Sequence, residues 1–241
     1  MATDQPIPTD TEQSQSGSDT PLLGRAGDAT QSERAAIWTN LLTGTAPVAQ
    51  VGIFVIFLAI WSVVLTSEYS LFSPHPLLNS AALVLLIQSI LLLQPTHTPE
   101  QKQEGAILHS ILNGVALLEF ISALVIIVLN KQSHNSKHFT SLHGKLGLTT
   151  YILLFIQALV GFLQYYTPGA FGSIENAKKV YKYHRASGYI ILLFGLVNAI
   201  LGTQTDYFYG LFSVTWIWVL AGILVFAGVA SRLKVSKMKM F

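Results

Sequence analysis

Residues 181–203 read YKYHRASGYIILLFGLVNAILGT, a basic, histidine-bearing start followed by a run with no formal charge as far as Asp206. Crossing ~30 Å of hydrocarbon takes ~20 helical residues, and this run is long enough. Working outward, five more runs have the same character, near 46–67, 74–94, 105–130, 139–165 and 211–230. The connections between them carry Glu68, Glu100 to Glu104, Lys131 to His138, Thr167 to Lys182 and Gln204 to Tyr209. Continuously apolar runs predict helices, because a membrane barrel needs short alternating segments. The predicted fold class is therefore all-α, an integral membrane bundle of six transmembrane helices. With 51% hydrophobic and 11% charged residues and a mean hydropathy of +0.50, the chain is too apolar for an ordinary soluble domain.

Three regions follow. Residues 1–45 open with Ser, Thr, Gln, Asp and Gly and few large apolar side chains, which predicts a disordered tail. Residues 46–230 form the membrane domain, and 231–241 a short basic tail. No cationic segment leads directly into an apolar core at the start, so a cleaved signal peptide is not expected. Six spans put both termini on one side. That side collects eleven of the 14 Lys and Arg, the other three being Lys131, Lys137 and Lys145. Positive charge favours the cytosolic face, so both termini are predicted cytosolic. Asp19-Thr-Pro-Leu22-Leu23 resembles an acidic dileucine sorting signal and favours an endomembrane, vacuolar, endolysosomal or ER, over the plasma membrane. The absence of cysteine excludes disulfides, thiolate ligands, iron–sulfur clusters and c-type haem attachment. A net charge of +2 gives no basis for nucleic-acid binding.

Four of the seven histidines fall near the start of a span: His75, His109, His143 and His184. Successive spans start on alternate faces, so His75 and His143 share the non-cytosolic face and His109 and His184 the cytosolic one. The residue at i+4, one turn further along the same helical face, adds a second constraint. It is Asn79 after His75, Asn113 after His109, Gly147 after His143 and Gly188 after His184. Each pair thus combines one His-x-x-x-Asn with one His-x-x-x-Gly. A glycine there lets a flat macrocycle approach the backbone, and an asparagine offers an amide to a propionate or a ring nitrogen. Spans four and five repeat further at an offset of 41, with Gln157 and Asn198 at i+14 and Gly161 and Gly202 at i+18 from their histidines. At ~1.5 Å per residue the two glycines reach the depth of the other pair, ~27 Å away.

Zinc wants three or four ligands, and no third accompanies either pair inside the membrane. Two imidazoles can instead saturate a haem iron and leave no position for oxygen, which favours electron transfer. The expected cofactors are two non-covalent b haems, one on His75 and His143, the other on His109 and His184. His97, His134 and His138 lie in connections and read as solvated.

These residues resemble the cytochrome b561 family over 46–230. Leu71-Phe-Ser-Pro-His75-Pro is similar to its Phe-x-x-His-Pro entry to the second span, Ser141-Leu-His143-Gly-Lys-Leu-Gly147 to its Ser-Leu-His-x-x-x-Gly, and His184-Arg-Ala-Ser-Gly188-Tyr to its His-x-x-x-Gly-Tyr. The resemblance implies cytosolic ascorbate as electron donor and monodehydroascorbate or a ferric chelate as acceptor on the far side. The short chain is most similar to the small transmembrane-reductase branch, with the lipid bilayer as its setting; a homodimer is compatible with this. One position departs. Members that bind cytosolic ascorbate well often carry a lysine two residues before the third-span histidine, where this chain has Ile107.

Lys178, Lys179, Lys182 and Arg185 flank His184 and are expected to form a rim that attracts an anionic reductant, although positive-inside flanking charge accounts for them equally well. Lys131, His134, Lys137, His138 and Lys145 offer a similar set to an anionic acceptor. Glu119 is the formally charged residue placed well inside a span, and its cost there predicts a neutral carboxyl, a bundle-facing one, or both. Two other classes compete with the electron relay. One is a six-helix carrier whose histidines line a proton or metal path, and the other a haem-b anchor of a partner dehydrogenase.

Overall fold

A computed structural model describes residues 29–234, which among themselves form helices and turns. The expectations for 1–28, including the Asp19 to Leu23 signal, and for 235–241 lie outside the described residues. The helices are α1 (Ala46–Leu65), α2 (Pro74–Leu93), α3 (Pro99–Ser133), α4 (Leu142–Tyr166), α5 (Ile174–Thr203), the single turn α6 (Asp206–Tyr209) and α7 (Thr215–Ala230). α1 to α5 are long and apolar enough to cross a membrane. α7 has the same character over 16 residues, or ~24 Å. It is shorter than the run 211–230 because Leu211 to Val214 complete the turn that follows α6.

α3 and α5 begin earlier than hydropathy indicates. Thr98 caps α3 in a capping box with Gln101, Pro99 pre-sets its first turn, and the Ser173 side chain accepts from Asn176 N at the start of α5. Glu100, Lys102, Glu104, Lys178 and Lys179 are thus helical, on turns that project beyond the apolar stretch.

The six long helices close a ring in the order α1, α2, α3, α4, α5, α7, with α7 returning against α1. Small residues bring these two together: a Cβ on Gly228 would lie 2.5 Å from Ala49 N, and one on Gly52 2.5 Å from Ala221 O. Ile53, Ile87, Leu91, Leu196, Trp218 and Val225 fill the core between α1, α2, α5 and α7. A smaller cluster around Ala82, Ala116 and Phe120 joins α2 to α3 and α4.

Residues 29–45, part of the stretch whose composition predicts a disordered tail, cover one end of this bundle. Gln31 N donates to Pro95 O (3.1 Å), the 3-10 turn Ile37–Leu41 buries Ile37, and Asn40 Nδ2 donates to Leu92 O (2.8 Å) at the end of α2. Free carbonyls at a helix C-terminus need donors, and this segment supplies one.

Candidate functional site

Helix starts fix the depth of the histidines. His75 follows Pro74 as the second residue of α2, and His143 is the second residue of α4 after the Ser141 cap, whose Oγ accepts from Gly144 N (3.1 Å). His109 and His184 each lie ten residues beyond the first residue of α3 or α5. The pairs expected from span parity are the ones brought together. The His75 and His143 ring centroids are 6.4 Å apart with perpendicular planes. His109 lies within electrostatic reach of His184.

Three of the four rings are oriented by a backbone carbonyl of the antiparallel neighbour. His75 Nδ1 lies 3.0 Å from Ala123 O, His109 Nδ1 3.3 Å from Ser89 O, and His143 Nδ1 3.0 Å from Asn198 O. A carbonyl oxygen only accepts, so Nδ1 must carry the proton in these neutral imidazoles and Nε2 keeps its lone pair. The acceptors follow one rule. Ala123 is fourteen residues after His109, Ser89 fourteen after His75, and Asn198 fourteen after His184. His184 breaks it, since its Nδ1 is enclosed with no partner. The Gln157 amide instead donates to His184 O and accepts from Ser187 Oγ.

The i+4 residues are busy within this framework. Asn79 Nδ2 donates to His75 O (2.7 Å), and its Oδ1 accepts from Tyr151 OH (2.7 Å). Asn113 Oδ1 accepts from Ser89 Oγ (3.0 Å). The space left by the i+4 glycines is taken by amides across the α4/α5 seam: a Cβ on Gly147 would meet Asn198 Nδ2 at 2.9 Å, and one on Gly188 would meet Gln157 Nε2 at 3.0 Å. Gly161 and Gly202 do reach the other pair. A Cβ on Gly161 would lie 2.8 Å from His184 Cε1, and one on Gly202 3.0 Å from His143 Cε1.

A cavity of about 650 Å³ opens between α2, α3, α4 and α5 at the His75/His143 pair. His75, Asn79, His143, Gly147 and Tyr151 line it, Leu83, Leu124 and Leu154 form apolar walls, and Lys131, His134 and His138 stand toward its mouth with Phe139, whose φ is +51°. Ligand pockets run to ~300–1,000 Å³ and are mostly apolar with a few placed polar groups. Free Nε2 lone pairs, carbonyl-locked rings and this apolar volume fit a flat macrocycle with an iron centre. Among the described residues no three His, Cys, Asp or Glu converge on a metal position, so the donor sets are pairs.

The rim beside His184 divides. Lys179 is exposed and ion-paired with Glu175 (3.1 Å), one turn back. Lys178, Lys182 and Arg185 lie along one flank of that stretch of α5 by helical spacing, about a quarter-turn from Lys179. Lys182 Nζ stands 5.0 Å over the Tyr183 ring, and Arg185 is within electrostatic reach of both His184 and Tyr189. Glu119 is half-buried on α3, with Oε2 enclosed and unpartnered. Tyr151 and Ser89 were not legible as site residues, since an aromatic and a serine inside apolar runs carry no mark. The i+14 position could have revealed the carbonyl acceptors, because the offset between α2 and α3, 34 residues, repeats the rule seen between α4 and α5.

Known proteins place the chain. It is 33% identical over 136 residues to the transmembrane ascorbate-dependent reductase CYB561 of Mus musculus, covering 55% of this chain and 52% of that one. The Homo sapiens protein of the same name is 32% identical over 136 residues, with the same shares. The ascorbate-specific transmembrane electron transporter 2 of Zea mays is 25% identical over 137 residues, 57% of each chain. The chain thus spans about half the length of the curated relatives it matches. Residues 74–209, from the start of α2 through α6 and so including all four histidines, match the profile of eukaryotic cytochrome b561: the chain belongs to the cytochrome b561 family, and haem b is the cofactor which that membership implies.

Proposed function

We propose that this chain carries electrons across a membrane, from cytosolic ascorbate to monodehydroascorbate or a ferric chelate on the far side, using two b haems. His75 and His143 would hold one and His109 and His184 the other. A bis-imidazole haem supplies reversible one-electron chemistry without an open position for oxygen. The observation that carries the reading is the carbonyl lock on His75, His109 and His143, which presents Nε2 as a ligand from facing helices. The protein's own work is orientation, exclusion of water by the leucine walls, and attraction of anions. Lys178, Lys182 and Arg185 would draw an anionic reductant toward the His109/His184 end, and Lys131, His134 and His138 an anionic acceptor toward the cavity mouth. Relatives named for ascorbate support that donor.

The test is spectral. In purified protein, His75→Ala or His143→Ala should remove one absorption component, and His109→Ala or His184→Ala the other, with two haems per chain in the parent. Loss of the same single component by all four variants would refute the pairing. Reduction of the purified chain by ascorbate alone distinguishes a relay from an anchor that needs a partner dehydrogenase.

A further inference from the structure

The residues after the last helix read Ser231-Arg-Leu-Lys-Val-Ser-Lys-Met-Lys239, with cations at Arg232, Lys234, Lys237 and Lys239. They lie outside the segment 74–209 that matches the family. Arg232 is 2% exposed, and its Nη2 donates to Asn40 O (3.0 Å) and Leu91 O (3.1 Å). These carbonyls cap the guanidinium with dipoles and bring no countercharge. Nε and Nη1 are enclosed without a partner, and among the described residues no carboxylate pairs with Arg232. A buried charge left in that state is costly.

More positive charge converges on the same corner. Lys234 Nζ lies 3.4 Å from Thr30 Oγ1, in electrostatic reach of both Arg232 and Lys102. Burial, then Lys102 and Arg232, hold the Lys234 ammonium below the usual lysine range, and burial brings the Arg232 guanidinium down to about 10, still charged at neutral pH. Lys234 is thus repelled by two further cations, Lys102 from the start of α3 and Arg232 from the end of α7, at one end of the bundle. An anion placed among them would relieve that repulsion. One bearing more than a single negative charge matches three cations better than a carboxylate does.

We propose that Lys102 and Lys234, above the buried Arg232, form a binding site for a phosphate-type oxyanion, supplied by the headgroup of an anionic phospholipid. The corner lies where α2 and α7 end, the level at which headgroups sit, and Lys237 and Lys239 extend the basic sequence. Basic pockets between helix ends on the cytosolic side suit such headgroups. The site is separate from the histidine pairs, so it stands whether or not they carry haem.

The test uses the full-length chain in phosphatidylcholine nanodiscs, with and without phosphatidylinositol 4,5-bisphosphate, and in undoped discs titrated with inorganic phosphate. Unfolding temperature and the lipid retained in native mass spectra are read. The parent chain should retain the inositol lipid and unfold at higher temperature with it. Lys234→Gln and Lys102→Gln should each weaken retention ~5-fold, the worth of one basic residue at such a surface. Lys179→Gln, a charge-matched change at an ion-paired residue, should not. Both active variants act at side chains outside the core, so a fold lost by Arg232→Gln leaves the test intact. A rise produced by inorganic phosphate, abolished by Lys234→Gln and unimproved by lipid, supports the oxyanion site with free phosphate as its source. Equal retention by all three lysine variants, or no response to either anion, overturns the proposal.

Discussion

A neutral imidazole can bind a metal through one nitrogen only if something decides where its proton sits. Here a carbonyl oxygen decides it for His75, His109 and His143, and the bond also raises the electron density at Nε2. Beyond that, the two pairs differ. Tyr151 on α4 donates to Asn79 Oδ1, and Asn79 grips the first turn of α2 beside His75. The Tyr151 ring also packs edge-on against Phe120 of α3, at 5.8 Å. The position equivalent to Tyr151 on α5 is Leu192, which has no hydroxyl. Tyr151→Phe therefore strips a donor from one pair and leaves the other untouched. It should cost ~1 kcal/mol of stability. In redox titrations resolved by component, it should move the midpoint of the His75/His143 component and leave the other in place. Equal shifts in both components would mean that Tyr151 acts through global packing.

At the scale of helices, the bundle's inner part is built from two antiparallel pairs, each close to two-fold symmetric in what it contacts. α4 and α5 exchange His143 with His184, Gly147 with Gly188, Gln157 with Asn198 and Gly161 with Gly202, all at an offset of 41. Gly161 and Gly202 each meet the histidine of the facing helix, so their effects should cross over. Gly202→Ala, with a Cβ 3.0 Å from His143, should disturb the component that depends on His143, and Gly161→Ala the one that depends on His184. Forcing a methyl into such packing costs ~1–3 kcal/mol. If each change disturbed the component of its own helix, the seam's register would be wrong. Most of this seam was legible in sequence, because the offset and the i+18 spacing locate the glycines opposite the other pair. Three things were not. Hydropathy cannot see helix outside hydrocarbon, so the starts at Pro99 and Ile174 depend on caps in polar sequence. The order in 29–45 comes from Ile37 and Asn40 docking on helix ends, contacts that composition does not encode. The carbonyl locks belong to the backbone, so no residue type marks them and only the repeated i+14 spacing points to their positions.

At the scale of the whole molecule, charge and topology have to agree. In the proposed orientation, where the His109/His184 end is cytosolic, an electron leaving that side would move off the negative face, which is favourable by ~2.3 kcal/mol per 100 mV. Reversing Lys178 and Lys182 to Glu should slow reduction by ascorbate, more steeply at low salt, since exposed charges are screened within ~8–10 Å at physiological ionic strength. An unchanged rate with intact haem spectra would leave those lysines only a topological role. That orientation in turn depends on α7, whose ~24 Å falls short of the ~30 Å of hydrocarbon. Its contacts nevertheless run the height of the bundle. At one end Thr215 Oγ1 donates to Gln204 Oε1 (2.8 Å), just after α5. At the other, Thr45 Oγ1 donates to Gly228 O (2.8 Å), just before α1. The last residue of α5 and the first of α1 lie at opposite ends of the ring, so α7 connects the two faces, and a local thinning of the bilayer accommodates the shortfall at modest cost. Epitopes inserted at residue 10 and residue 240 should therefore both be reached by antibody from the same side of sealed vesicles. Access to only one of them would mean that α7 turns back within the membrane, and the charge asymmetry that orients the chain would then have to be recounted over five spans.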